Sequence, residues 1–136
     1  MATSACENGP FDPYWDRGTY DLVFANDRTV PSTVYESTGA GRVSRVDVID
    51  GTLTLRRDNS YQLLVTAREF SGGGYADVTH AYAGRYDYDG RTLLLSYFDP
   101  AFTTYAEIDA SWRDGSVELV MPDVAAGRGV LMRFEK

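Results

Sequence analysis

Apolar and polar residues alternate along most of this chain with a period of two, and the alternating runs are punctuated by turn-forming residues. Successive side chains of a strand point to opposite faces, so this rhythm predicts half-buried β-strands; a helical rhythm is hard to find. "GTYDLVFA" (18–25) sets Tyr20, Leu22 and Phe24 against Thr19, Asp21 and Val23. "VSRVDVI" (43–49) runs into Asp50-Gly51 and then "TLTLRR" (52–57). Asp-Gly between alternating runs predicts a hairpin, because both residues tolerate the positive φ of a type I′ turn. The device repeats: "GRYDY" (84–88) turns at Asp89-Gly90 into "RTLLLSYF" (91–98), and "TYAEIDASW" (104–112) turns through "RDG" into "SVELVM" (116–121). "SYQLLVTAREF" (60–70) turns through "SGGG" into "YADVTHAY" (75–82), and "GVLMRFE" (129–135) ends the series.

About nine closely spaced strands joined by hairpins form a meander, and a meander either stacks as a sandwich or closes on itself. Closure alone removes exposed sheet edges, so the expected fold is all-β, a single antiparallel up-and-down β-barrel of about eight or nine strands. The expected division is an N-terminal arm over 1–17 and a barrel domain over 18–136. The segments 26–42 and 122–129 read as irregular, with any short helix placed in the arm or in 26–42. The predicted inward set is Tyr20, Leu22, Phe24, Val46, Val48, Leu53, Leu55, Tyr61, Leu63, Val65, Tyr86, Leu93, Leu95, Ile108, Trp112, Val117, Leu119, Met132 and Phe134. These side chains are bulky, which predicts a filled interior with at most a small residual pocket.

The unit "G-x-Y…DG-x-x-L-x-L" at 84–95, together with "GTYDL" at the first strand, resembles the small bacterial lipocalin-like proteins of the calycin type. The resemblance spans roughly residues 16–135 and implies a compact antiparallel barrel. In lipocalins the first strand opens with Gly-x-Trp, and the Trp packs under an Arg from the last strand. The resemblance therefore implies a barrel-closing set here of Tyr20 at the Trp position and Arg133 as the base, with Trp15 as a substitute ring. Tyr in place of Trp is a departure from the true lipocalin pattern.

Composition narrows the function. Twenty acids against thirteen bases give a formal charge of −7, which disfavours nucleic acid and anionic lipid surfaces as partners. No apolar run approaches the ~20 residues of a membrane span, and "MATSACENG" lacks the basic and apolar regions of a signal peptide. The expected location is cytoplasmic, the alternative being export if the true start lies upstream of Cys6.

Catalytic and metal signals are sparse, so the expectation is no enzyme, no cofactor and no metal. His80 is the only histidine; Asp77 and Glu69 are its nearest conceivable carboxylate partners, and a lone strand histidine reads as structural. "RYDYDGRT" (85–92) has Arg85 where a calcium loop needs an oxygen, and it reads as strand–turn–strand. "SGGGY" joins two strands and has no following Lys, so it is no phosphate cradle. If 43–49 and 52–57 pair as a hairpin, Arg45 and Arg56 come together as a carboxylate or phosphate clamp; pairing with Asp47 and Asp58 is the plainer expectation.

What remains is surface. Pro10 and Pro13 stiffen an arm carrying Phe11, Tyr14 and Trp15, and Leu64, Leu94, Phe98, Val120 and Leu131 fall on the outward phase of their strands. An apolar outer wall marks an interaction site. The expected function is a non-catalytic interaction module, an accessory or structural subunit docking on a larger assembly, soluble or membrane-associated. Its expected partner-binding residues are Phe11, Tyr14, Leu64, Leu94, Phe98 and Val120. The alternative is a carrier or sensor of a small apolar ligand in the barrel lumen.

Overall fold

The computed structural model describes residues 17–37, 45–89, 92–113, 115–125 and 128–136, so Phe11, Tyr14 and Trp15 lie outside the described residues. Ten strands follow one another: β1 (Gly18–Ala25), β2 (Arg28–Thr29), β3 (Ser32–Glu36), β4 (Arg45–Leu55), β5 (Ser60–Ser71), β6 (Gly74–Tyr88), β7 (Thr92–Asp99), β8 (Thr104–Arg113), β9 (Ser116–Ala125) and β10 (Arg128–Glu135). Among the described residues there is no helix. Strands β4 to β10 form an antiparallel meander, and β1 joins its two ends. The first half of β1 pairs Gly18–Asp21 with Leu55–Thr52 of β4, while Asp21–Ala25 runs along Glu135–Met132 of β10. The result is a closed antiparallel barrel of eight strands, with β2 and β3 laid on as extra strands.

The Asp50-Gly51 hairpin does not form. β4 runs straight through these residues, with a bulge between Val48 and Asp50 against β5. The bulge explains the misleading pattern: Val46 and Val48 face inward before it, Leu53 and Leu55 after it, a change from even to odd positions. A one-residue bulge reverses the phase of a strand without ending it. Gly51 is needed for space, not for a turn, because a Cβ there would stand 2.9 Å from the Leu64 carbonyl oxygen and 3.2 Å from Leu22. The true β4–β5 turn is Arg56–Asn59, where Asn59 takes a φ of +67° and the Asp58 carboxylate accepts from the Ser60 amide at 2.9 Å. Arg45 and Arg56 therefore stand at opposite ends of β4 and form no clamp. Arg45 pairs with Asp47 at 3.2 Å and covers the Phe70 ring at 4.0 Å.

The segment expected to be irregular supplies β2 and β3. Asn26 and Asp27, with φ of 50° and 64°, make the tight turn between β1 and β2, the two-residue geometry that suits twisted strands. The runs 75–82 and 84–88 are one strand, β6, continuous through Gly84.

Every member of the predicted inward set except Phe24 is buried. A bulge between Leu22 and Phe24 brings Ala25 inside instead, opposite Met132, and turns Phe24 outward beneath the Arg133 guanidinium at 5.4 Å. Leu53, Leu63, Leu93, Leu95, Met132 and Phe134 are 0% exposed, so no water-sized void touches them. Small buried residues, among them Ala67, Ala110 and Ala125, complete the core.

Candidate functional site

The two ends of the barrel differ. One end carries the β4–β5, β6–β7 and β8–β9 turns and the start of β1. There Tyr20 is fully buried, and the Lys136 Nζ stands 5.8 Å from its ring while donating to the Arg17 carbonyl at 2.7 Å. The expected partner of Tyr20 was Arg133. Because Met132 and Phe134 point inward, Arg133 between them points outward, where it covers Phe24 and meets Glu135 at 2.9 Å. The expected Tyr20–Arg133 pair is thus split between the two faces of the wall.

At the other end the wall opens. The β6–β7 ladder stops at Arg85↔Ser96, and the β8–β9 ladder stops at Ala110↔Leu119. Beyond those points β7 and β8 pair, among the described residues, only with each other, from Tyr97↔Ala106 to Asp99↔Thr104. Gly84 marks where β6 and β7 part: the Ser96 carbonyl occupies the space that a Cβ at Gly84 would need. The projecting hairpin end carries three exposed aromatic side chains: Phe98 is 48%, Phe102 77% and Tyr105 75% exposed. Phe98 and Tyr105 face each other across the strands, edge to face, with ring centroids 5.5 Å apart. The tip is held by the Asp99 carboxylate, which accepts from the Ala101 amide at 3.0 Å, and by Thr103 at a φ of +51°. A β-branched residue in the left-handed region is strained, and such strain gathers at functional positions.

Between β6 and β7 lies a slot of about 280 Å3, lined by His80, Tyr82, Tyr97, Phe98, Asp99 and Pro100, with Ala81 and Ala83. Tyr82 and Tyr97 meet edge to face at 4.9 Å across it. The His80 Nε2 is buried and has no hydrogen-bond partner. Asp77, three positions nearer the hairpin tip, lies on the opposite face of β6 and is bound by Arg68 through bonds of 2.8 and 3.2 Å. That guanidinium, first by its hydrogen bonds, holds the Asp77 carboxyl below the usual carboxylate range. Glu69 stands opposite Ala76, four residues along β6 from His80. No His–carboxylate pair is assembled from these residues. Among the described residues no three of His, Cys, Asp and Glu group as metal ligands.

Tyr61, deep in the barrel, has a hydroxyl with no hydrogen-bond partner. Burial, and then the neighbouring Tyr97, pushes that hydroxyl far above its ordinary value. An unsatisfied buried hydroxyl is a cost that an apolar isostere removes, so Tyr61→Phe is expected to hold or raise the melting temperature at pH 8. The raised value also fixes a sign. The unfolded chain loses this proton near pH 10, before the folded one does, so stability falls as pH rises above about 10. Thermal unfolding at about pH 10.5 is expected to show a smaller alkaline loss for Tyr61→Phe than for the parent. A loss of more than about 1 kcal/mol at pH 8 would mean that the hydroxyl has a partner after all.

The structure divides the predicted outer-wall residues. Leu64 on β5 stands opposite Ala81, whereas Leu94 on β7 stands opposite Asp87, so six residue steps along β6, roughly 20 Å of strand, separate the two levels. Both are half-buried. Val120, 50% exposed, pairs directly with Leu131 on the β9–β10 face. Phe98 alone joins a larger group, and its companions Phe102 and Tyr105 escaped the sequence reading. The legible signal was "DPAFTTY", a turn holding two aromatics with no core position to fill. No family model, no curated protein and no solved structure matches this chain.

Proposed function

We propose that the protein is a non-catalytic interaction module, a lipocalin-like barrel that serves as an accessory subunit and docks on a larger protein through the β7–β8 hairpin end. The observation that carries this reading is the exposure of Phe98, Phe102 and Tyr105 together on a hairpin that, among the described residues, pairs only with itself. Three large rings in water at one place are unusual for a free-standing surface. Aromatic anchors presented by a stiffened support are the material of interface hot spots. The packed interior points the same way: a lumen carrier needs ~300 Å3 or more of apolar space, and Leu63, Leu93, Leu95 and Phe134 at 0% exposure leave none beside them.

The test is site-specific photo-crosslinking in the source organism. A photoreactive side chain at Phe102 is expected to trap one discrete protein adduct, and the same group at Gln62, exposed on the β5 wall, is expected to trap none. Equal labelling at the two positions, or no adduct at Phe102, defeats the docking reading.

A further inference from the structure

We infer that the edge of β6 from Asp77 to Ala83 accepts an extended, basic strand of the partner protein, an inference that rests on the docking reading above and specifies its chemistry.

The backbone geometry defines the edge. The Tyr86 amide donates to the Asn59 carbonyl at 2.8 Å, toward β5. In an antiparallel ladder, alternate residues bond to opposite sides. Asp77, Thr79, Ala81 and Ala83 therefore direct their N–H and C=O groups away from β5, toward the slot where β7 has departed. This row spans roughly 20 Å of strand. It is a ready template for another strand.

Sheet edges in free proteins are guarded, and the other open edges here carry guards. β9 holds Pro122, which has no N–H; β8 places Glu107 and Asp109 on exposed positions; β3 is five residues long and bulged between Thr33 and Tyr35. Among the described residues the β6 edge has no proline, no bulge and one outward charge, Asp77 at its start. Its register with β5 runs from Ser60↔Arg85 to Ser71↔Gly74 without a shift, and its exposed side chains at Thr79, Ala81 and Ala83 are small. A strand laid there would set alternate side chains toward Tyr82, Tyr97 and the unpartnered His80 Nε2, which line the slot.

Charge selects the occupant. Asp99 lines the slot, Arg68 and Asp77 neutralise each other at the start of the edge, and the cation beyond its end is Arg85. The whole chain carries −7. Such a surface attracts a basic segment and repels an acidic one.

The probe is a capped peptide of alternating valine and lysine, about nine residues long, with a valine–glutamate peptide as control. Amide hydrogen exchange of the full chain is followed by NMR. The valine–lysine peptide is expected to slow exchange at Thr79 and Ala81 by about tenfold or more, and the valine–glutamate peptide to leave it unchanged. Ala81→Pro removes an edge donor that bonds nothing on β5, and it is expected to abolish the slowing. Thr79→Lys, which keeps the backbone intact, is expected to do the same should the proline variant not fold. Edge amides already slow in the free protein, or unchanged by the peptide, overturn the inference. Equal slowing by the acidic peptide overturns the charge assignment. Perturbation confined to the Phe102 and Tyr105 rings overturns strand addition and leaves hairpin docking standing, whereas crosslinking failure at Phe102 removes the docking reading itself.

Discussion

Phe134→Ala is expected to lower the stability of the barrel by about 3–5 kcal/mol. Its ring is 0% exposed on β10, opposite Leu22 of β1 and Val117 of β9, at the seam where the last strand meets the first. Removing it deletes buried apolar surface and leaves a cavity that a closed ring of strands cannot collapse to fill, since each wall is pinned by its neighbours. A domain of this size has about 5–15 kcal/mol of stability in total, so the loss is readily measured. Urea unfolding is expected to show a lower midpoint with an unchanged slope. A loss below about 1 kcal/mol would place Phe134 outside the packed core.

Gly84→Ala is expected to cost about 3 kcal/mol or more, at the upper end of what overpacking produces. The added methyl would collide with the Ser96 carbonyl, which is backbone and cannot rotate away, and it would press toward the Tyr61 ring at 3.4 Å. Relief requires β6 and β7 to separate further, and that weakens the short Arg85–Tyr88 ladder joining the two halves of the wall. Gly74→Ala at the exposed β5–β6 tip is the matched control, because nothing lies within 4 Å of a Cβ there. If the two substitutions prove equally mild in chemical denaturation, the close crossing at Gly84 does not govern how the strands part.

The sheet and its inward face were legible in the sequence because they follow from a local rule. A strand buries every second residue, so Leu53-x-Leu55, Tyr61-x-Leu63-x-Val65 and Leu93-x-Leu95 announce both the element and its core face. The hairpin at Gly115, with a φ of +79°, and the closure of the meander follow from the same local chemistry and from the need to hide edges.

Where that rule is interrupted depends on contacts between strands distant in sequence. Asp50-Gly51 carries the local signal of a turn, yet the contacts of Gly51 with β1 and β5 make it the middle of a strand. Phe24 keeps the alternation and still lies outside, because a bulge against β10 reverses its phase. Arg133 and Tyr20 take opposite faces for the same reason of phase, and Lys136 takes the place by the Tyr20 ring. The candidate site is the extreme case. Phe98, Phe102 and Tyr105 become one exposed group, and Asp77–Ala83 becomes an open edge, only because Gly84 lets Ser96 cross and β7 leave β6. Alternation along a chain is set by neighbours one or two residues away. Bulges, crossings and unpaired edges are set by strands distant in sequence, and no local pattern encodes them.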